Sequence, residues 1–169
     1  VMSSSLTYDT LDPVSVALKH SPHAEVVRML GDAGCDLRGR VHQYLYVPFL
    51  YCDPDVLQLL LEHDPTPRDP GELADRLLRW KGDPGCIALF LELARNFTAN
   101  APLNDFGTPG LMRAAESGYL DAVHILLMAG ADMEARDRNG EKAIGYALSL
   151  GKTDVVKLFV ELGADCSYS

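Results

Sequence analysis

The sequence predicts an all-α solenoid, about five short helix–turn–helix units stacked in a row and joined by projecting turns. Two observations carry this expectation. Gly107, Gly118 and Gly130-Ala131-Asp132 recur as Gly140, Gly151 and Gly163-Ala164-Asp165, each at an offset of 33 residues, and Ala114, Asp121 and Val123 recur in the same step as Ala147, Asp154 and Val156. A fixed period of roughly 20 to 50 residues marks a stacked repeat. Within each period the apolar residues fall in two runs at helical spacing, separated by Gly or Pro. A helix pair this short cannot bury its apolar face alone, so neighbouring pairs must share one elongated core.

Taken in order, residues 1–10 are polar and are expected to form a flexible N-terminal segment. A single repeat domain follows over 11–169, with repeats at about 11–37, 38–66, 67–103, 104–136 and 137–169. Asp12-Pro13 opens a helix that runs to about His20, with Asp as cap and Pro in the first turn. Ser21-Pro22-His23 breaks it, and a second helix carries Val26, Val27, Met29 and Leu30 before Gly34 ends it. Tyr44 to Tyr51 is a short apolar segment interrupted by Pro48. Asp53-Pro54-Asp55 starts a strongly apolar helix that ends near Asp64, and Pro65, Pro67 and Pro70 punctuate the loop behind it. Glu72 to Trp80 and Cys86 to Ala94 form the third pair, broken by Gly82-Asp83-Pro84. The last two pairs are expected at about 111–117 with 121–128, and 144–150 with 154–162. Asn139-Gly140 marks the turn that projects between them.

With 47% hydrophobic and 23% charged residues, the chain is ordinarily globular. A net charge of −9, spread along the chain, argues against nucleic acid as a partner, because phosphate neutralisation needs clustered Lys and Arg. Cys35, Cys52, Cys86 and Cys166 form no CxxC pair; Cys35 and Cys86 sit in apolar or tight-turn contexts where buried, reduced thiols are expected, and a reducing compartment follows. No leader is legible near Met2, and the apolar run Tyr44 to Cys52 is too short to span a bilayer. Together these features point to an intracellular, cytoplasmic setting without membrane contact. His20 and His23 straddle Pro22 with no Cys pair nearby, so no metal site is expected. No phosphate loop, dinucleotide fingerprint, nucleophile elbow or HExxH is present, so no cofactor and no catalytic residue is assigned.

The residues of the 33-residue step resemble the ankyrin repeat. Gly107, Leu111, Ala114, Ala115, Gly118, Leu126, Leu127 and Gly130 to Asp132 match one unit, and Gly140, Ile144, Ala147, Gly151, Val155, Val156 and Gly163 to Asp165 match the next. Glu25 to Asp36 matches the second half of a repeat near the start. The Thr-Pro-Leu-His tetrad of the family is missing. Its Thr position falls on Pro109 and Lys142 and its His position on Met112 and Gly145, so these units are expected to be less rigid than consensus ones. By the same phase the paired alanines of the second repeat fall on Pro48 and Phe49, an irregularity in mid-stack.

The resemblance implies a non-catalytic scaffold or adaptor that docks a protein partner on the concave face of inner helices and projecting turns. Carried over by phase, the turns fall at Arg38 to Gln43, Thr66 to Asp69, Asn104 to Phe106 and Arg138 to Glu141, and Tyr51, Trp80 and Lys81 fall at inner-helix ends. Tyr51, Trp80, Lys81, Phe106, Arg138, Glu141, Arg40 and His42 are therefore the candidate partner-binding residues, with Trp and Tyr the types that dominate binding hot spots. Against this, Tyr51 and Trp80 could plug a loosely packed middle, and Arg38, Arg40 and His42 could be a solvated turn. Two other readings stay open: an enzyme or small-molecule binder with a polar pocket within residues 44–95, and a regulatory module that occludes a partner's site. Val155, Val156, Leu158, Phe159, Val160 and Leu162 make the final helix apolar nearly all round, which points to self-association or further repeats at that end.

Overall fold

The structure, a computed structural model, describes residues 12–20, 23–45, 52–79, 83–95, 97–104 and 107–164, and of His42 only the backbone. The helices of the described residues are α1 (Pro13–His20), α2 (Ala24–Asp32), α3 (Arg40–Leu45), α4 (Pro54–His63), α5 (Pro70–Arg79), α6 (Pro84–Leu93), α7 (Gly110–Ser117), α8 (Leu120–Met128), α9 (Ala143–Ser149) and α10 (Thr153–Glu161). They form two layers. Each odd-numbered helix packs on the next odd one, each even helix on the next even one, and the two helices of each pair touch across the layers. Between the layers runs one continuous apolar core, from Val14 and Leu18 through Leu57, Leu60, Leu73 and Phe90 to Leu111, Ala147 and Phe159.

The helix starts follow from local chemistry. Asp53 Oδ1 accepts the Asp55 amide at 2.9 Å, and Asp83 Oδ1 accepts the Gly85 amide at 2.7 Å. Each aspartate precedes a proline that needs no donor, so the orphan amides of the first turn are partly satisfied. Asp12 does the same for α1 through the Ser15 amide at 3.0 Å. In the last two repeats the stops are the more regular feature: Gly118 ends α7 in the left-handed region at φ 67°.

Two expectations are corrected. The even helices begin at residues 24, 54, 84, 120 and 153, so the first three repeats step by 30 residues and only the last step is 33. Extrapolating the longer step overshoots in the second repeat. Residues 40–45 there are the inner helix α3, not part of a turn running from Arg38 to Gln43. Buried Tyr44 and Leu45 supply its packing, and the proposed positions Pro48 and Phe49 lie outside the described residues. The expectation of reduced thiols also fails in part, since Cys52 and Cys86 are joined in a disulfide across a Cα separation of 6.5 Å; among the described residues Cys35 is left free and half-buried. Cys52 lies two residues before α4 and Cys86 is the third residue of α6, and the packing of α4 on α6 brings the two together. The N-terminal segment 1–10 lies outside the described residues.

Candidate protein-docking face

Tyr51, Trp80, Lys81 and Phe106, and the side chain of His42, lie outside the described residues. Trp80 and Lys81 follow directly on Arg79, the last residue of α5. Arg40 opens α3, and its guanidinium is engaged within the fold. Nη1 lies 3.0 Å from Asp12 Oδ2, 3.1 Å from Ser15 Oγ and 3.0 Å from Gln43 Oε1. It therefore ties the start of α1 to α3. The hydrogen bond from the Ser15 hydroxyl is the largest influence on the Asp12 carboxyl; with Arg40 it outweighs desolvation and holds Asp12 below the usual carboxylate range.

A chain of ions crosses from α5 to α7. Asp75 Oδ2 accepts from Arg79 Nε at 2.6 Å, and its Oδ1 accepts from Arg113 Nε at 2.6 Å. Arg113 Nη1 then meets Glu116. Asp75 and Arg113 are largely buried, whereas Arg79 and Glu116 reach solvent at the two ends. The sequence reading missed these residues; the helical spacing of Asp75–Arg79 and Arg113–Glu116 is the signal that could have found the two pairs. Their fusion was not legible, because it joins repeats whose separation departs from the 33-residue step.

The projecting turn between α8 and α9 is organised by Asp137. Its Oδ1 accepts the amides of Asn139 at 2.8 Å and Glu141 at 3.0 Å, and its Oδ2 accepts the Tyr146 hydroxyl at 2.7 Å. Desolvation pushes the Asp137 carboxyl upward, but the bonds from Tyr146, Glu141 and Asn139 prevail and leave it below its ordinary value. Accepted by that carboxylate and partly desolvated, the Tyr146 hydroxyl is pushed up to about 12. At the vacated Thr position, the buried Lys142 reaches Glu134 Oε2 at 2.7 Å. Glu141 is thus half-buried and held by its backbone. Arg138 is exposed at the tip, its stem above Gly107 of the preceding turn.

The crevice between α5, α6, α7 and α8 is lined, among the described residues, by apolar ones such as Leu77, Leu78, Ile87, Phe90 and Leu126, none of them ionisable. Among the described residues no cluster of His, Cys, Asp or Glu has metal-holding geometry, and no helix is long and apolar enough to cross a membrane. The face made by the odd helices and the turns offers fixed charge and polar backbone, which suits recognition of another surface.

A sequence model of ankyrin repeats, in three copies, matches residues 77–169. Protein phosphatase 1 regulatory subunit 27 of Homo sapiens is 30% identical over 116 residues, covering 61% of this chain and 73% of that protein. The B-cell lymphoma 3 protein homolog of Mus musculus is 25% identical over 175 residues; the match covers 97% of this chain but only 39% of that protein. Protein VAPYRIN-LIKE of Medicago truncatula is 44% identical over 50 residues, 30% of this chain and 11% of that protein. The match over more than half of the chain, on helix pairs stacked in two layers with projecting turns, shows that this chain belongs to the ankyrin-repeat family.

Proposed function

We propose that the chain is a non-catalytic docking module that binds a protein partner on the face of its inner helices and projecting turns. The observation that carries this reading is the ion chain from Arg79 to Glu116. Its centre is fixed by buried contacts and its ends are free to meet solvent, so charged groups are presented with little ordering left to lose on binding. Trp80 and Lys81 continue the chain from Arg79, and with Tyr51, Phe106, Arg138, Glu141, Arg40 and His42 they remain the proposed contact set. Arg40 and Glu141 enter it as supports, since each is held within the fold.

The test is calorimetric titration of a captured and identified protein partner. Trp80→Ala is expected to weaken binding by about 2 kcal/mol, roughly thirtyfold, as a buried aromatic hot spot does. Arg79→Ala is expected to weaken it less, and Met128→Ala, on the exposed outer layer, not at all. Loss at Met128 with Trp80 silent moves the site to the other face. Turnover of a small metabolite by the purified chain favours the enzymatic alternative.

A regulatory use of the same docking is favoured by one relative, whose name describes a regulatory subunit of a phosphatase. On that reading the module changes its partner's activity by covering or repositioning a functional site, and a stoichiometric mixture would show it. An intracellular setting belongs to this proposal as well. It requires that the stack stay folded when Cys52 and Cys86 are reduced.

A further inference from the structure

The projecting turns form one continuous edge. Gly39 of the turn 33–39 donates its amide to Asp64 Oδ2 of the turn 64–69 at 2.9 Å. The Arg95 amide of the turn 94–109 donates to the Pro65 carbonyl at 2.7 Å, and the Asp132 amide of the turn 129–142 donates to Asn100 Oδ1 at 2.7 Å. The first three turns each bend through a residue of positive φ just ahead of the inner helix: Gly39 at 71°, Asp69 at 49° and Gly107 at 74°. An arginine stands at each bend. Arg38 and Arg68 immediately precede Gly39 and Asp69, at the same place in successive repeats. Arg138 reaches back from the fourth turn, so that a Cβ on Gly107 would lie 3.7 Å from its Nε.

All three arginines are exposed, and among the described residues none of their guanidinium groups has a carboxylate partner. Carboxylates of the turns are engaged with backbone instead. Asp36 Oδ1 accepts the Arg38 amide at 3.0 Å, Asp64 accepts the Gly39 amide, and Asp137 accepts those of Asn139 and Glu141. Asp69, exposed beside Arg68, makes no such bond among the described residues. The outer layer has the opposite sign. Each outer helix exposes an acid, Glu25, Glu62, Glu92, Asp121 and Asp154 in turn, and the cations of those helices are Arg28 and Lys157. An anionic ligand is therefore favoured at the turn edge and disfavoured on the outer helices.

We propose that the turn edge binds an acidic, extended segment of a protein partner, with carboxylates at every third residue received by Arg38, Arg68 and Arg138. The inference rests on docking at the face of inner helices and turns, and adds the chemistry of what docks there. Packed helices lie roughly 8–10 Å apart, so arginines on successive turns repeat at about that spacing. A segment in the polyproline II conformation has three residues per turn and rises about 3.1 Å per residue, which puts residues i, i+3 and i+6 on one edge about 9 Å apart. A β-strand with the same carboxylates would turn the middle one away, because its side chains change face at each residue. Each guanidinium offers a planar fork that can take a carboxylate through two parallel hydrogen bonds. The net charge of −9 repels an anion at long range, so a segment out of register with the arginines gains little.

The test is fluorescence anisotropy of labelled, end-capped peptides titrated with the 169-residue chain. Glu-Pro-Pro-Glu-Pro-Pro-Glu is expected to bind more tightly than Pro-Pro-Glu-Glu-Glu-Pro-Pro, which has the same charge in another register, and Gln-Pro-Pro-Gln-Pro-Pro-Gln is expected not to bind. Arg38→Ala, Arg68→Ala and Arg138→Ala are each expected to weaken binding about fivefold. Arg28→Ala removes a cation from the outer layer and is expected to change nothing. Asp69→Asn removes the exposed carboxylate at a bend that asparagine tolerates, and is expected to strengthen binding. Circular dichroism checks that each variant keeps its helices. Equal binding of the two glutamate peptides overturns the proposal, as does a loss in Arg28→Ala equal to that in Arg68→Ala, since either would mean bulk charge alone. No binding of any peptide at millimolar chain also overturns it. Docking itself is judged apart, by Trp80→Ala against the captured partner: peptides that fail while that variant still weakens the partner overturn the acidic segment and leave the docking face standing.

Discussion

Tyr146 and Asp137 show what a single pair does for a degenerate repeat. The family tetrad is absent, and the sequence accordingly predicts looser units. In the fifth repeat the pair, with Lys142 and Glu134, ties the projecting turn to α9 by a different route. No sequence pattern announces this, because the bond depends on where the turn folds back. Tyr146→Phe removes the hydroxyl that the carboxylate accepts and is expected to destabilise the fifth repeat by about 1–2 kcal/mol in urea titration. The pH dependence has a definite sign. Asp137 sits below its ordinary value in the folded chain, so its contribution is full above the ordinary carboxylate range and is lost as pH falls through it. The Tyr146 hydroxyl, raised to about 12, contributes below the ordinary phenol value and loses that contribution as pH rises through about 12. Amide protection of Asn139 and Glu141, corrected for intrinsic exchange, should therefore drop in acid and stay level through neutral pH. Level protection in acid would assign the turn's order to its backbone bonds alone.

At the scale of elements, most helices were legible because their starts are written in Asp-Pro and their stops in Gly. The exception is α3. Its six residues have no acidic group in the first turn, and the shorter step of the early repeats hides its phase. Loss of a cap by Asp83→Ala is expected to cost about 1 kcal/mol, read as a lower thermal midpoint. Two helix-start glycines should behave oppositely. A Cβ on Gly71 would lie 2.8 Å from the carbonyl oxygens of Pro102 and Leu103, which are backbone and cannot step aside cheaply. A Cβ on Gly110 would meet only Leu78 and Leu126 side chains at 3.5 Å, ordinary contact beside the apolar crevice. Gly71→Ala should destabilise the packing of α5 on the 102–103 loop, whereas Gly110→Ala should raise stability by about 0.5–1 kcal/mol by restricting the unfolded chain. Equal effects from the two would mean that the loop yields.

Across the whole molecule, stability is set by neighbours, since among the described residues the main contacts of each repeat are with the next. The C-terminal half was legible in phase as well as in fold. The proposed docking face was less legible, because contacts such as Asp75 to Arg113 join repeats whose step departs from 33 residues. The Cys52–Cys86 bond is a further inter-repeat tie, linking the second and third repeats over a separation of 34 residues. Closing a loop of that length restricts the unfolded chain by about 3–4 kcal/mol in the chain-entropy picture. In a one-dimensional stack this benefit is local. Reduction, or the Cys52→Ser, Cys86→Ser variant, is expected to lower hydrogen-exchange protection in α4 and α6 first, and in α9 and α10 hardly at all. The buried leucines of α4 supply core packing of their own, so the reduced stack is expected still to fold. Protection lost equally along the chain would show that the five repeats unfold as one unit, with each junction felt at both ends.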